Sequence, residues 1–278
     1  MSNILTRYIV ALIAIPTILY ILFCAPSWVF NLLMALIMML VLLEWLHLIQ
    51  GLKLAAPLTL GMTMGAVLLT GITVFAVTGN GLFLFFTSIL AVLGLNLFGL
   101  LNQAFDIKQR ALGNAAMLMA VMMTAWGGGS IILIRESETI PDSRYWILLL
   151  FTMVWSGDTG AMHLGRRFGR HKLAPVISPK KTVEGLVGAV TCATITSAAV
   201  FHLFHFPYPL WHVLIIAPIT VALAHTGDLT ASMIKRAAQV KDSGHLIPGH
   251  GGYLDRFDAL LLSSPFVYLY IQLVLIHP

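Results

Sequence analysis

Nine apolar stretches, each close to 20 residues, mark this 278-residue chain at about 8–25, 29–49, 55–78, 81–101, 112–134, 145–164, 184–205, 210–234 and 257–276. A helix of about 20 residues crosses the ~30 Å hydrocarbon core of a bilayer, and in lipid the backbone must satisfy its own polar groups. The spacing predicts an all-α, polytopic integral membrane protein with about nine transmembrane helices. Charged residues make up only 10% of the chain, against about 25% in a soluble domain, so there is too little polar surface to solvate a globule. Disordered chains, disulfide scaffolds and nucleic-acid-binding domains are excluded with it. The net charge of +5 does not reopen the nucleic-acid reading. The basic residues lie in short loops between apolar runs, where they meet anionic headgroups or phosphate ligands.

Of the 16 Lys and Arg, only Arg135 and Arg144 fall in loops on one side of this threading, and the other 14 share the opposite side. By the positive-inside rule the N-terminus and the basic loops are expected in the cytoplasm and the C-terminus outside. The first apolar run is too long for a signal-peptide core and lacks a small-residue cleavage site, so it is expected to be retained. Cys24 and Cys192 lie within apolar runs and are expected to be buried free thiols. Residues 1–144 read as scaffold helices. Residues 145–278 read as the catalytic region, because most polar residues without an anchoring role lie between Trp155 and Asp258.

Two segments carry those residues. In the later one, Asp228, Ser232 and Lys235 fall at i, i+4 and i+7 and form one polar stripe at the end of an apolar helix; Arg236 and Lys241 extend it. A carboxylate there needs a partner or a ligand, and a salt bridge to Lys235 is the simplest one. Pro248, Gly249, His250, Gly251 and Gly252 follow. Their glycines allow backbone N–H groups to converge on phosphate oxygens. Asp255, Arg256 and Asp258 then open the last helix, the two carboxylates at i and i+3 sharing a face, although both are also favoured by the helix dipole.

In the earlier segment Asp158 stands between Gly157 and Gly160, an arrangement that invites a local helix break. Six basic residues follow, ending at Lys180 and Lys181. Ser178 and Thr182 suit a helix entry, and Glu184 complements the start of the next helix. Basic loops of this kind also anchor membrane proteins without any ligand. Together the segments set carboxylates for a hard cation beside many fixed positive charges. That pattern suits Mg²⁺, which one or two carboxylates hold together with substrate phosphates. The expected ligand is a metal-bound nucleotide or pyrophosphate meeting a lipid. The histidines lack zinc spacing, and His250 alone stands out.

Ser232, Lys235 and Arg236, then Lys241 and Asp242, the run from Pro248 to Gly252, and Asp255, Arg256 and Asp258 resemble the full signature of the CDP-diacylglycerol synthase family, the phosphatidate cytidylyltransferases. Gly227, Asp228 and Leu229 resemble it too, as does the stretch from Asp158 through Ser178, Pro179, Lys180, Lys181, Thr182, Glu184 and Gly185. The first half resembles the family only in hydropathy and length. Met162, Tyr253 and Ala259 depart from it beside the motif residues and bear on lipid-chain or substrate preference.

The resemblance implies a bacterial-type inner-membrane enzyme, a homodimer, that converts CTP and phosphatidate to CDP-diacylglycerol and pyrophosphate. It implies Asp228 and Asp255 as divalent-metal carboxylates, with a second cation nearby for which Asp258 or Asp158 is a candidate. Lys235, Arg236, Lys241 and Arg256 would neutralise phosphate charge. Lys180 and Lys181 would contact either the phosphatidate headgroup or the CTP phosphates. Ser178, Ser232, Asp242, Gly249, His250, Gly251, Gly252 and Asp158 complete the substrate-binding candidates. Three rivals fit less well. A lipid transporter would place its charges at the midplane of repeated, broken helices. A CTP-dependent lipid kinase would move the γ-phosphate rather than CMP. The Asp-Gly…Ala-Arg element of the CDP-alcohol phosphotransferases is absent from the sequence.

Overall fold

The computed structural model describes residues 12–13, 16–140, 142–247 and 251–276. Helices follow the apolar runs: α1 (Ser27–Gly51), α2 (Leu58–Thr78), α3 (Gly81–Leu101), α4 (Ile107–Glu136), α5 (Ser143–Phe168), α6 (Val183–Leu203), α7 (Val213–Ala237), the short α8 (Leu254–Phe257) and α9 (Leu260–Tyr270). A 3₁₀ turn at Leu210–His212 leads into α7, and a π-helical turn at Ile271–Ile276 ends the last span. Local chemistry sets the boundaries. Pro26 and Pro57 precede α1 and α2, Asn80 accepts from Phe83 N at the start of α3, and Asp106 Oδ1 accepts from Gln109 N at the start of α4.

Among the described residues, eight helical segments are long and apolar enough to cross a membrane, from Ser27–Gly51 to Leu254–Ile276. They correspond to the last eight predicted spans, and the protein is a polytopic all-α membrane protein. The first predicted run lies partly outside the described residues; 16–23 of it is helical. Cys24 and Cys192 are free thiols as expected, but Cys24 is exposed and Cys192 half-buried. An apolar run in a membrane protein buries only the face that meets other helices, so position within a run did not settle burial.

The described residues form two compact units. One joins the residues up to Glu136 with Ile234–Phe257, and the other joins Ser137–Met233 with the residues from Asp258 onward. In the first, α1 to α4 pack on one another, with α4 the most buried span, while α8 packs on α1. In the second, α5 and α6 make the most extensive helix pair.

Small residues bring that pair together, since a Cβ at Gly160 would meet Gly188 O at 2.5 Å and Cys192 Sγ at 2.7 Å. The predicted break beside Asp158 does not occur, and α5 runs unbroken from Ser143 to Phe168. Without a hydrophobic force between helices in lipid, close backbone approach at small residues drives packing, and these glycines serve that contact. An antiparallel hairpin, β1 (Lys172–Ala174) and β2 (Ser178–Thr182), links α5 to α6.

Candidate functional site

In the second unit, the hairpin and the adjoining helix ends enclose a cavity of about 620 Å³ lined by Asp158, Arg166, Lys172, Lys180, Lys181 and Asp228. Each reaches it for a local reason. Thr182 ends β2 and caps α6, its hydroxyl accepting from Gly185 N at 3.1 Å. Glu184, in the first turn of α6, accepts from Arg170 N at 3.0 Å and from His171 N at 3.2 Å, and meets His171 Nδ1 at 2.6 Å. The carboxylate at the start of α6 thus ties the entrance of the basic hairpin back to the helix that follows it. Ser178 lies in β2 opposite Ala174; of the two expected helix-entry residues only Thr182 serves that role, because the strand pairing holds Ser178 a full four residues earlier.

Asp228, on the polar stripe of α7, places Oδ2 2.6 Å from Lys181 Nζ and accepts from Ser232 Oγ at 3.2 Å. The alternative of a bridge from Asp228 to Lys235 is not what forms. Lys235 instead pairs with Asp255 at 2.5 Å in the first unit, where both side chains are 9% exposed. Seven residues of helix separate Asp228 and Lys235 by about 10 Å of rise, and each finds a partner closer at hand. His225, a turn before Asp228, is buried and also lines the cavity, with Nδ1 3.2 Å from Val221 O.

The first unit holds the rest of the later segment. Asp255 Oδ2 accepts from Ser243 N at 2.9 Å and Gly252 N at 3.1 Å, while Oδ1 takes Lys235. Ile247 N donates to Gly251 O at 3.0 Å; Gly249 and His250 lie outside the described residues. Gly251 has φ +81°, a conformation that favours glycine. Lys241, Asp242, Arg236 and Arg256 are exposed, and Arg236 Nη1 donates to Val240 O at 3.2 Å. Asp258 lies beyond α8 in a turn and accepts from Ala259 N at 2.8 Å through Oδ1. The helix is interrupted there, so Asp255 and Asp258 do not share one continuous helical face.

A residue the motif does not contain completes this loop. Glu44 of α1, 3% exposed, accepts from Ser243 Oγ at 2.6 Å, Leu254 N at 2.9 Å and Tyr253 N at 3.0 Å. Its closeness accounts for Gly252, where any Cβ would collide with Glu44 Oε2 and Ser243 Oγ. The signal in the sequence was a lone carboxylate in an apolar run, which is costly in a membrane unless it has a task.

Among the described residues no three His, Cys, Asp or Glu side chains gather as a metal cluster. The cavity instead offers two carboxylates, Asp158 and Asp228, beside four Lys and Arg side chains. This is the donor set of a hard cation that keeps waters and shares substrate phosphates, so the residues fit Mg²⁺ brought in with a polyphosphate.

The phosphatidate cytidylyltransferase of Staphylococcus saprophyticus is 47% identical over 128 residues, which is 46% of this chain and 49% of that one. Those of Staphylococcus haemolyticus and Staphylococcus aureus are each 43% identical, over 127 and 128 residues, with the same shares of both chains. The chain spans about half the length of the curated relatives it matches. The model of the cytidylyltransferase family matches residues 5–274, well beyond the C-terminal motifs, and the chain belongs to that family.

Proposed function

We propose that this protein is a phosphatidate cytidylyltransferase of the bacterial inner membrane, a Mg²⁺-dependent homodimer that transfers CMP from CTP to phosphatidate at the cytoplasmic face. The observation that carries the reading is the cavity of the second unit, whose carboxylates and cations suit a metal-bound polyphosphate at the ends of membrane helices. Relatives named for this activity support the substrates, and the 14 to 2 division of Lys and Arg supports the face.

A phosphate monoester has its second pKa near 6, so phosphatidate arrives already largely ionised and needs no dedicated base. A phosphatidate oxygen attacks the α-phosphorus of CTP. The new P–O bond forms as the α–β anhydride bond breaks, and its electron pair leaves with pyrophosphate. The obstacle is repulsion between anions. Lys180, Lys181, Lys172 and Arg166 offer fixed charge within the cavity, and Lys235, Arg236, Lys241 and Arg256 do so in the later segment, which lowers that barrier by preorganisation. Asp228 with Asp158 in the cavity, and Asp255 by its place in the motif, are the proposed cation ligands; a bound Mg²⁺ supplies positive charge to the phosphate oxygens. Ser178, Ser232, Asp242 and the loop from Gly249 to Gly252 are proposed substrate contacts, and Asp258 is a candidate for a second cation.

Purified protein given phosphatidate, Mg²⁺ and CTP labelled at the α-phosphorus should place the label in lipid and release unlabelled pyrophosphate. Lipid labelled only by γ-labelled CTP would make the protein a kinase, and no labelled lipid in either case would overturn the reading. Reporter fusions after Lys108 and at Pro278 should lie on opposite sides of the membrane; the same side for both would overturn the orientation.

A further inference from the structure

The hairpin between α5 and α6 turns through Pro175, Val176 and Ile177, because Ala174 pairs with Ser178. Turns in water draw on Gly, Asn, Asp and Ser as well as Pro, whereas this one places two large aliphatic side chains after its Pro. Val176 is 89% exposed. The residues around it carry one sign of charge. From Arg166 to Lys181 there are six Lys and Arg and no Asp or Glu, and Lys172 on β1 and Lys180 on β2 are exposed.

Two short strands are marginal by themselves, but the base of this hairpin is fixed. Val183 N donates to His171 O at 2.9 Å, and Glu184 accepts from Arg170 N and His171 N. The turn is thereby held near the ends of two membrane spans. Phe168 at the end of α5, and Val183 and Val187 at the start of α6, are exposed as well, so the lipid-facing surface runs up to both feet of the hairpin. Strands of three and five residues extend about 10–17 Å. The polar layer on each face of a bilayer is only about 5–8 Å thick, so the turn can reach across it.

We infer that the hairpin is an interfacial anchor. Pro175, Val176 and Ile177 seat at the boundary of acyl chains and headgroups, and Lys172 and Lys180 stand at the phosphates of an anionic phospholipid surface. Apolar side chains beside Lys and Arg are the pattern that binds such an interface, and the lysine stems lie along apolar surface while their ammonium groups stay among the headgroups. The task of the anchor rests on the proposed CMP transfer: it holds the cavity, lined by Lys172, Lys180 and Lys181, against the surface from which phosphatidate comes.

The test places a nitroxide at Val176→Cys in a full chain carrying Cys24→Ser and Cys192→Ala, checked for a monodisperse fold. The protein is reconstituted in vesicles of phosphatidylcholine with phosphatidylglycerol, or of phosphatidylcholine alone. Collision with oxygen, which concentrates in lipid, is compared with collision with a water-soluble nickel chelate. Labels at Val187, exposed on α6, and at Thr139, exposed between α4 and α5, give the lipid and water references. Val176 should match Val187 in the mixed vesicles and move toward Thr139 in phosphatidylcholine alone. Val176→Asp should raise the KM for phosphatidate in mixed vesicles about 5-fold or more, the scale of losing a partly buried Val, and leave the KM for CTP unchanged. A signal like that of Thr139 in mixed vesicles overturns the inference, and so does a depth indifferent to lipid charge. An unchanged KM for phosphatidate overturns the task given to the anchor. A wild type that makes no CDP-lipid overturns the proposed function instead, and the label still decides whether the hairpin is seated in lipid.

Discussion

Lys181 Nζ lies 2.6 Å from Asp228 Oδ2, so the last residues of the basic hairpin neutralise the carboxylate on α7. Both side chains keep some exposure, at 21% and 34%, and both line the cavity. The Lys181 ammonium nitrogen itself is buried, so Asp228 holds that charge at the edge of the cavity a ligand would fill.

Asp228→Asn should lower CMP transfer by about 100-fold or more, the scale for removing an oriented charge from a reacting site, while the Asn oxygen still accepts from the buried Lys181 Nζ and keeps the protein folded. Lys181→Met should also lower turnover without unfolding the protein. Near-normal rates for Asp228→Asn across a Mg²⁺ titration would remove Asp228 from the chemistry.

The Lys235–Asp255 pair should behave differently, because both groups are nearly buried. Removing one partner of a buried pair costs about 3–5 kcal/mol, since the other is left uncompensated. Lys235→Met should thus destabilise strongly, and adding Asp255→Asn should recover part of the stability while activity stays lost. Unfolding in a denaturant titration measures both. A loss below about 1 kcal/mol, the range of exposed pairs, would contradict the burial described here.

Thr182 holds the junction of hairpin and helix through one hydroxyl. Thr182→Ala should cost about 1 kcal/mol, the usual value of an N-cap, and Thr182→Ser should cost much less. Equal losses in the two variants would assign the effect to the methyl group rather than the cap.

Gly227 of α7 packs against main chain, since a Cβ there would collide with the carbonyl oxygen of Asp258. A backbone obstacle cannot rotate away as a side chain does. Gly227→Ala should destabilise by about 1–3 kcal/mol, the range for overpacking, seen as a lower midpoint of thermal unfolding in detergent. An unchanged midpoint would mean that the contact relaxes freely.

The spans were legible because a bilayer imposes a length and a polarity on each helix, and the described helices follow that pattern. The polar stripe of α7 was legible as well, through its spacing. Its pairing was not, because periodicity shows which residues share a face and says nothing of what another element brings to it. Lys181 reaches Asp228 from β2, and Asp255 reaches Lys235 from α8. The hairpin itself was hidden, since strands of three and five residues rich in Lys and Pro carry no β signature. Glu44 was not read as part of the site, because it stands alone in an apolar run and the loop it holds lies some 200 residues away.

That separation also has a consequence in time. Ser243 is 199 residues beyond Glu44, so at about 5–20 residues per second the carboxylate of α1 precedes its partner out of the ribosome by about 10–40 s. During that interval α1 carries an ionisable group whose native donors do not yet exist, in or beside a medium that penalises it. The helix that supplies the tether thus waits for the loop that bears the most recognisable motif in the chain, and the two can meet only once the 199 residues between them have been made.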